Sequence, residues 1–157
     1  MYTFQLPDDV QTTRVFIETG TNAGTSLAIA LAAGYAECLS VECVESLYLV
    51  AKHRFSTEPC ARLFHGSSPE VLSQIIDPTK STTFWLDAHY SGSDRSWQDP
   101  KFGECPLLAE LQAIMAFRWG QLPYILIDDA TLFHPDWSEN SGRFDPNSFT
   151  RSHWPTI

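Results

Sequence analysis

Short apolar runs separated by polar turns recur along the chain, and they alternate between two kinds. Residues 14–19 (RVFIET) form a short β-branched run, which is the pattern of a strand. Residues 25–33 (TSLAIALAA) are too many, and too rich in alanine and leucine, for a strand; with Gly34 closing the run they predict a buried helix. The alternation continues with a strand over 38–42 (CLSVE) and a helix over 45–55, where Leu47, Val50, Ala51 and Phe55 fall at helical spacing. A strand follows over 61–65 (ARLFH), then a helix over 69–76 with Ser68 as N-cap and Pro69 in its first position. Residues 82–87 (TTFWLD) predict a fourth strand, 106–117 (PLLAELQAIMAF) an amphipathic helix opened by a proline, and 124–128 (YILID) a fifth strand.

Strands alternating with helices across short connections predict parallel pairing and right-handed crossovers, hence an α/β fold with a doubly wound open sheet and helices on both faces. The strands are nearly unbroken apolar runs, as strands covered on both faces are. With 157 residues the chain makes one domain, with a core over 13–133. The remainder, 134–157, holds His134-Pro135, Asp145-Pro146 and Trp154-Pro155 and shows no strand pattern, so it reads as an irregular tail. One connection, 88–105, is long; with Tyr90, Trp97, Phe102 and Gly103 it reads as a lid over a site or as a mobile surface loop.

Charge narrows the partners. Acidic residues outnumber basic ones by 19 to 10, the formal net charge is −9, and no basic run is present, so a phosphate backbone is repelled and nucleic acid is not expected as a substrate. Cys38, Cys43, Cys60 and Cys105 contain no CxxC pair and read as reduced core or near-core thiols. Neither a signal peptide nor an apolar run of bilayer length is visible, so a soluble, cytoplasmic protein without membrane partners is expected.

In an open α/β sheet the ligand sits beyond the carboxyl ends of the strands, so those ends carry the candidate chemistry. The first strand runs into Glu18-Thr19-Gly20-Thr21-Asn22-Ala23-Gly24. Its glycines let a backbone approach a ligand, and the helix behind them offers unpaired N–H groups; a tight strand-to-helix turn with no ligand has the same look. Glu42 ends the second strand, a place from which a carboxylate accepts both hydroxyls of a ribose. Gly66, Ser67 and Ser68 follow the third strand as a small polar turn suited to a flat base, or simply as a helix cap. Asp87 and His89 follow the fourth strand, and Asp128 and Asp129 the fifth. Carboxylates gathered on one rim repel each other unless a cation, a proton or a hydroxyl-rich ligand offsets the charge.

The runs FIETGTNAGTS and SVECVES resemble the first two motifs of class I S-adenosylmethionine-dependent methyltransferases. The resemblance implies a strand order of 3-2-1-4-5, a methionine end held at the turn from Glu18 to Gly24, and a ribose held by Glu42. Asn22 stands where the family more often has glycine. HGSS resembles the third motif, with Ser67 where an aspartate commonly touches the adenine. WLDAHYSG and ILIDDA resemble the macrocin O-methyltransferase branch, which implies a divalent cation such as Mg²⁺ on Asp87, Asp128 and Asp129. The implied reaction is methyl transfer to a hydroxyl of a small, sugar-like acceptor, with Asp87 and His89 nearest the reacting centre and His89 as general base. The family usually continues past the fifth strand with a helix and an antiparallel strand pair, for which the tail shows no pattern. The fifth strand is therefore expected to pair with a second copy or a swapped tail. Three other readings are a partner-dependent S-adenosylmethionine-binding domain without catalysis, a metal-dependent hydrolase built on Asp87 and His89 with Asp128 and Asp129, and a nicotinamide dehydrogenase. The last expects a GxGxxG turn, which this chain does not supply.

Overall fold

The computed structural model of the chain describes residues 13–90, 98–133 and Pro155. Within them the order is β1 (Val15–Thr19), α1 (Thr25–Ala33), β2 (Glu37–Glu42), α2 (Glu45–Arg54), β3 (Ala61–His65), α3 (Ser68–Ile75), β4 (Thr82–Leu86), α4 (Leu107–Met115) and β5 (Tyr124–Ile127). A short 3-10 helix, Ala130–Phe133, follows. All neighbouring strands pair in parallel, in the order β3-β2-β1-β4-β5, the doubly wound arrangement that the alternating pattern predicts.

Alternation along β1 divides the core in two. Val15 and Ile17 point to the face covered by α3 and α4, where they join Leu39, Leu72, Phe84, Leu86, Ile114 and Phe133. Phe16 points the other way and packs with Leu27, Ala30, Tyr35, Cys38 and Phe55 under α1 and α2. Phe133 is buried, so the chain turns back onto the core after β5.

Register lines up the strand ends. Thr19 lies opposite both Val41 and Leu86, and Glu42 lies opposite His65. The polar residues after β1, β2, β3 and β4 therefore leave the sheet along one rim.

Several expectations need correction. Only β1 is buried along its whole length; β3 and β5 form the sheet edges and are partly exposed, so their apolar runs are covered less fully than continuous hydrophobicity suggests. Val50 is 64% exposed: α2 turns Ala51 and Phe55 inward and leaves Leu49 and Val50 outside. Ser68 is the first residue of α3 and Ser67 takes the N-cap position, because the Ser68 hydroxyl is engaged with Glu110 on α4. Cys60 is exposed, not near-core. Trp97 and the tail, apart from Pro155, lie outside the described residues. Among the described residues, no helix is long and apolar enough to cross a membrane, and nothing pairs with the outer edge of β5.

Candidate active site

The rim encloses a cavity of about 270 Å³ lined by residues from every strand end, among them Gly20, Asn22, Glu42, Gly66, Ser68 and Asp87. At its first wall, Gly20 adopts φ 81° and sits so close to the Asp87 backbone that a Cβ would lie 2.3 Å from the Asp87 carbonyl oxygen. Only glycine serves there. Asn22 has φ 45°, a left-handed conformation that asparagine tolerates better than most residues. Asparagine thus fills the place where the resembled family carries glycine.

Glu42 lines the cavity from the end of β2. Its Oε2 accepts the Asn22 backbone N–H at 2.8 Å, and its Oε1 accepts that of Val44 at 2.9 Å. Two backbone donors thereby fix the plane of the carboxylate, and each oxygen retains a lone pair for a ligand hydroxyl.

Glu18 plays a different part from the one its motif suggests. It is 1% exposed and does not line the cavity. Its Oε2 accepts the Ser40 hydroxyl at 2.6 Å, and Ser40 shares a second 2.6 Å hydrogen bond with Thr21. Burial pushes the Glu18 carboxyl up to about 8, against the lowering effect of Ser40, so this group is mostly neutral at pH 7. Glu18, Ser40 and Thr21 lie beneath the glycine turn and hold its shape. Thr19, Gly24 and Ser67 also lie behind the cavity wall; the Phe55 ring packs 2.5 Å from where a Gly24 Cβ would stand.

The far wall holds His89 between two carboxylates. Its Nδ1 is 3.6 Å from Asp87 Oδ1 and its Nε2 is 3.4 Å from Asp129 Oδ2. Burial disfavours the imidazolium, but the hydrogen bond to Asp129 and the charges of Asp87, Asp129 and Asp128 outweigh it and raise the pKa above the ordinary histidine range. Burial raises Asp87 to about 7, opposed by His89 and reinforced by Asp128. Asp87 and His89 therefore share a coupled titration, each favouring the charged form of the other.

Asp87, Asp128 and Asp129 all line the cavity and carry the hard oxygen donors that Mg²⁺ prefers. Their side chains do not converge on one point: among the described residues, no three histidine, cysteine or acidic side chains are placed to hold a metal ion. Asp87 and Asp129 turn to His89 instead.

The sequence reading missed Cys43, Val44, Leu47, Tyr90 and Asp99 in the lining. Leu47 carried a signal, since it begins the inward face of α2. Asp99 carried none, because its long loop follows no period. Cys43 is no nucleophile, as burial pushes its thiol up to about 12.

Five parallel strands in the order β3-β2-β1-β4-β5, with the polar strand ends on one rim, make a Rossmann-like doubly wound α/β fold. No protein-family model matches the chain, and no curated protein does. Solved structures of this architecture do match. The S-adenosylhomocysteine-bound methyltransferase PaMTH1 of Podospora anserina superposes with a TM-score of 0.58 at 15% identity, over 78% of this chain and 48% of its own. A Staphylococcus aureus protein classed as a caffeoyl-CoA O-methyltransferase gives 0.59 at 16%, over 92% and 62%. The O-methyltransferase TomG of Streptomyces achromogenes, from tomaymycin synthesis and in complex with S-adenosylmethionine, gives 0.53 at 14%, over 80% and 55%. The chain thus spans about half to three fifths of the length of these structures, and the likeness establishes the fold.

Proposed function

We propose that the cavity binds S-adenosylmethionine and that the chain transfers its methyl group to an oxygen of a small hydroxyl-bearing or sugar-containing acceptor. The observation that carries this reading is the Glu42 carboxylate, oriented by the Asn22 and Val44 N–H groups and open to the cavity beside Gly20. A carboxylate so held suits a pair of vicinal hydroxyls. The first turn of α1 has no side-chain cap, so its N–H groups suit the carboxylate of a methionine end. The turn at Gly66 and Ser68 bounds the opposite end, where a flat base fits.

Bound S-adenosylmethionine would supply a methyl group already activated by a sulfonium, so the protein has chiefly to align an acceptor and take up its proton. Glu42, Asp87, Asp99, Asp128 and Asp129 line the cavity, and among the described residues His89 is the one basic side chain beside them, a field that favours a cationic cofactor. Asp87, raised to about 7, and its neighbour His89 are the groups we assign to receive the acceptor's hydroxyl proton. The same acidic rim and the net charge of −9 support a small acceptor over a nucleic acid. Free cysteines support a reducing, cytosolic setting, and the outer edge of β5, unpaired among the described residues, supports pairing with a second copy or a swapped tail.

Calorimetric titration with S-adenosylmethionine, S-adenosylhomocysteine and NAD, each with and without Mg²⁺, tests the reading. Binding of the two sulfur nucleosides and not of NAD is expected. Binding of NAD alone would replace it with a dehydrogenase.

A further inference from the structure

Three consecutive carbonyls shape the strap between β2 and α2, the segment that carries Glu42 into the cavity. The Glu42 carbonyl accepts the Gly66 N–H at 3.0 Å, and the Val44 carbonyl accepts the Tyr48 N–H at 2.9 Å as α2 opens. Both donors are main-chain groups, which any residue but proline supplies. The middle carbonyl, that of Cys43, takes its donor from a side chain: His65 Nε2 lies 3.2 Å from it. A carbonyl only accepts, so Nε2 carries the hydrogen, as it does in one neutral tautomer and in the imidazolium. Of the three ties, this one depends on which residue stands at the end of β3.

The Cys43 carbonyl and the Val44 N–H belong to one planar peptide group. His65 holds its carbonyl end, and its N–H end donates to Glu42 Oε1 at 2.9 Å. Fixing one end of a rigid plane fixes where the other end points. His65 is exposed and does not line the cavity, whereas Glu42, Cys43 and Val44 all do, so it acts on the site from outside. It is the last residue of β3 and stands opposite Glu42 in the register. Its imidazole lies against the Tyr48 ring of α2, with centroids 5.2 Å apart and planes 24° from parallel, and the Lys52 ammonium is 5.3 Å from the same ring. The donor is therefore braced by a helix while it grips the strap.

We infer that His65 is a positioning residue for Glu42: by holding the carbonyl end of the Cys43–Val44 peptide it aims the Val44 N–H at the carboxylate, and so sets the plane that meets the ligand hydroxyls. The inference rests on the proposed S-adenosylmethionine site. It gives a task to the histidine of the HGSS run, which the cavity itself leaves unused. Without His65, water satisfies the exposed Cys43 carbonyl but does not hold the peptide in one orientation.

Two substitutions separate the hydrogen bond from the packing. His65→Gln keeps an N–H donor near the place of Nε2, while His65→Phe keeps the stack on Tyr48 and loses the donor. Wild-type protein is expected to bind S-adenosylhomocysteine about tenfold more tightly than its 2′-deoxyribose analogue, which offers Glu42 one hydroxyl fewer. In His65→Phe, S-adenosylhomocysteine is expected to bind about three- to tenfold more weakly and the analogue to change less, so the preference shrinks. In His65→Gln the wild-type preference is expected to return. Unchanged affinity and preference in His65→Phe, equal weakening of both ligands, or a His65→Gln variant no better than His65→Phe each overturns the positioning role and leaves the S-adenosylmethionine site standing. Should His65→Phe fail to fold, Tyr48→Leu removes the brace and keeps the donor; a smaller preference there supports the role, and an unchanged one overturns it. Equal binding of the two ligands by wild type overturns the inference together with the ribose role of Glu42. Failure of wild type to bind S-adenosylhomocysteine at all overturns the site itself.

Discussion

The backbone N–H of Asn22 donates to the Glu42 carboxylate at 2.8 Å, so the turn after β1 and the end of β2 are joined across the floor of the cavity. This contact turns two separate sequence signals into one binding surface. Removing its acceptor should be felt by the ligand first. Glu42→Ala is expected to weaken S-adenosylhomocysteine binding by about 100-fold, since two ligand hydroxyls and two backbone donors lose their acceptor. Glu42→Gln, which keeps one oxygen, should fall between. Calorimetry reads both; unchanged affinity in Glu42→Ala would remove the ribose from this residue.

Gly20 and Gly34 both have positive φ, 81° and 89°, but only Gly20 has backbone against it. Gly34→Ala should cost about 1 kcal/mol, the backbone strain alone. Gly20→Ala must also displace the Asp87 carbonyl, so it should cost clearly more and weaken ligand binding as well. Urea midpoints of the two variants decide this, and equal losses would contradict the close approach.

Glu18 should make stability depend on pH. Its carboxyl is raised from 4.5 to about 8 in the folded chain, so the folded state holds a proton that the unfolded state releases. The stability associated with the neutral form is complete below pH 4.5 and is lost progressively as pH rises through 8. Glu18→Gln, which cannot ionise, should therefore gain on wild type between pH 5 and pH 8.5, by on the order of 3–5 kcal/mol. Parallel melting curves against pH would refute the buried neutral carboxyl.

For catalysis, His89→Ala and Asp87→Asn are each expected to lower methyl transfer by about 100-fold or more, with His89→Ala leaving S-adenosylmethionine affinity within about threefold. Turnover that survives both changes, or wild-type binding without turnover on any hydroxyl acceptor, would favour a binding domain without catalysis.

Because Asp87 and Asp129 face His89 and not a common point, activity should persist in EDTA within about twofold of its value in Mg²⁺. A loss restored by Mg²⁺ would mean that the three aspartates regroup around a cation when the acceptor binds.

Much of this was legible in the chain, for reasons that differ residue by residue. Helix α1 was read to its ends, because a long alanine and leucine run closed by Gly34 admits one structure. Each strand end was found within a residue, and with it Gly20, Glu42, Gly66, Asp87, His89, Asp128 and Asp129 in the cavity wall. Glu18 was legible as important but not as buried: a sequence motif marks that an acid is needed at a turn, not which way its side chain points. Ser68 was read as a cap because its position and Pro69 favour one, and only the approach of Glu110, 42 residues away, redirects it. Asp99 was invisible for a related reason: it reaches the cavity from a loop that crosses to α3, a tertiary event without a local pattern.

The most direct measurement is a crystal structure of the chain grown with S-adenosylhomocysteine. The account predicts both ribose hydroxyls within hydrogen-bond distance of the Glu42 carboxylate, with the homocysteine end beside Gly20. Nucleoside density anywhere else, or a Glu42 carboxylate that bonds only to Asn22 and Val44 while ligand occupies another cleft, would contradict it.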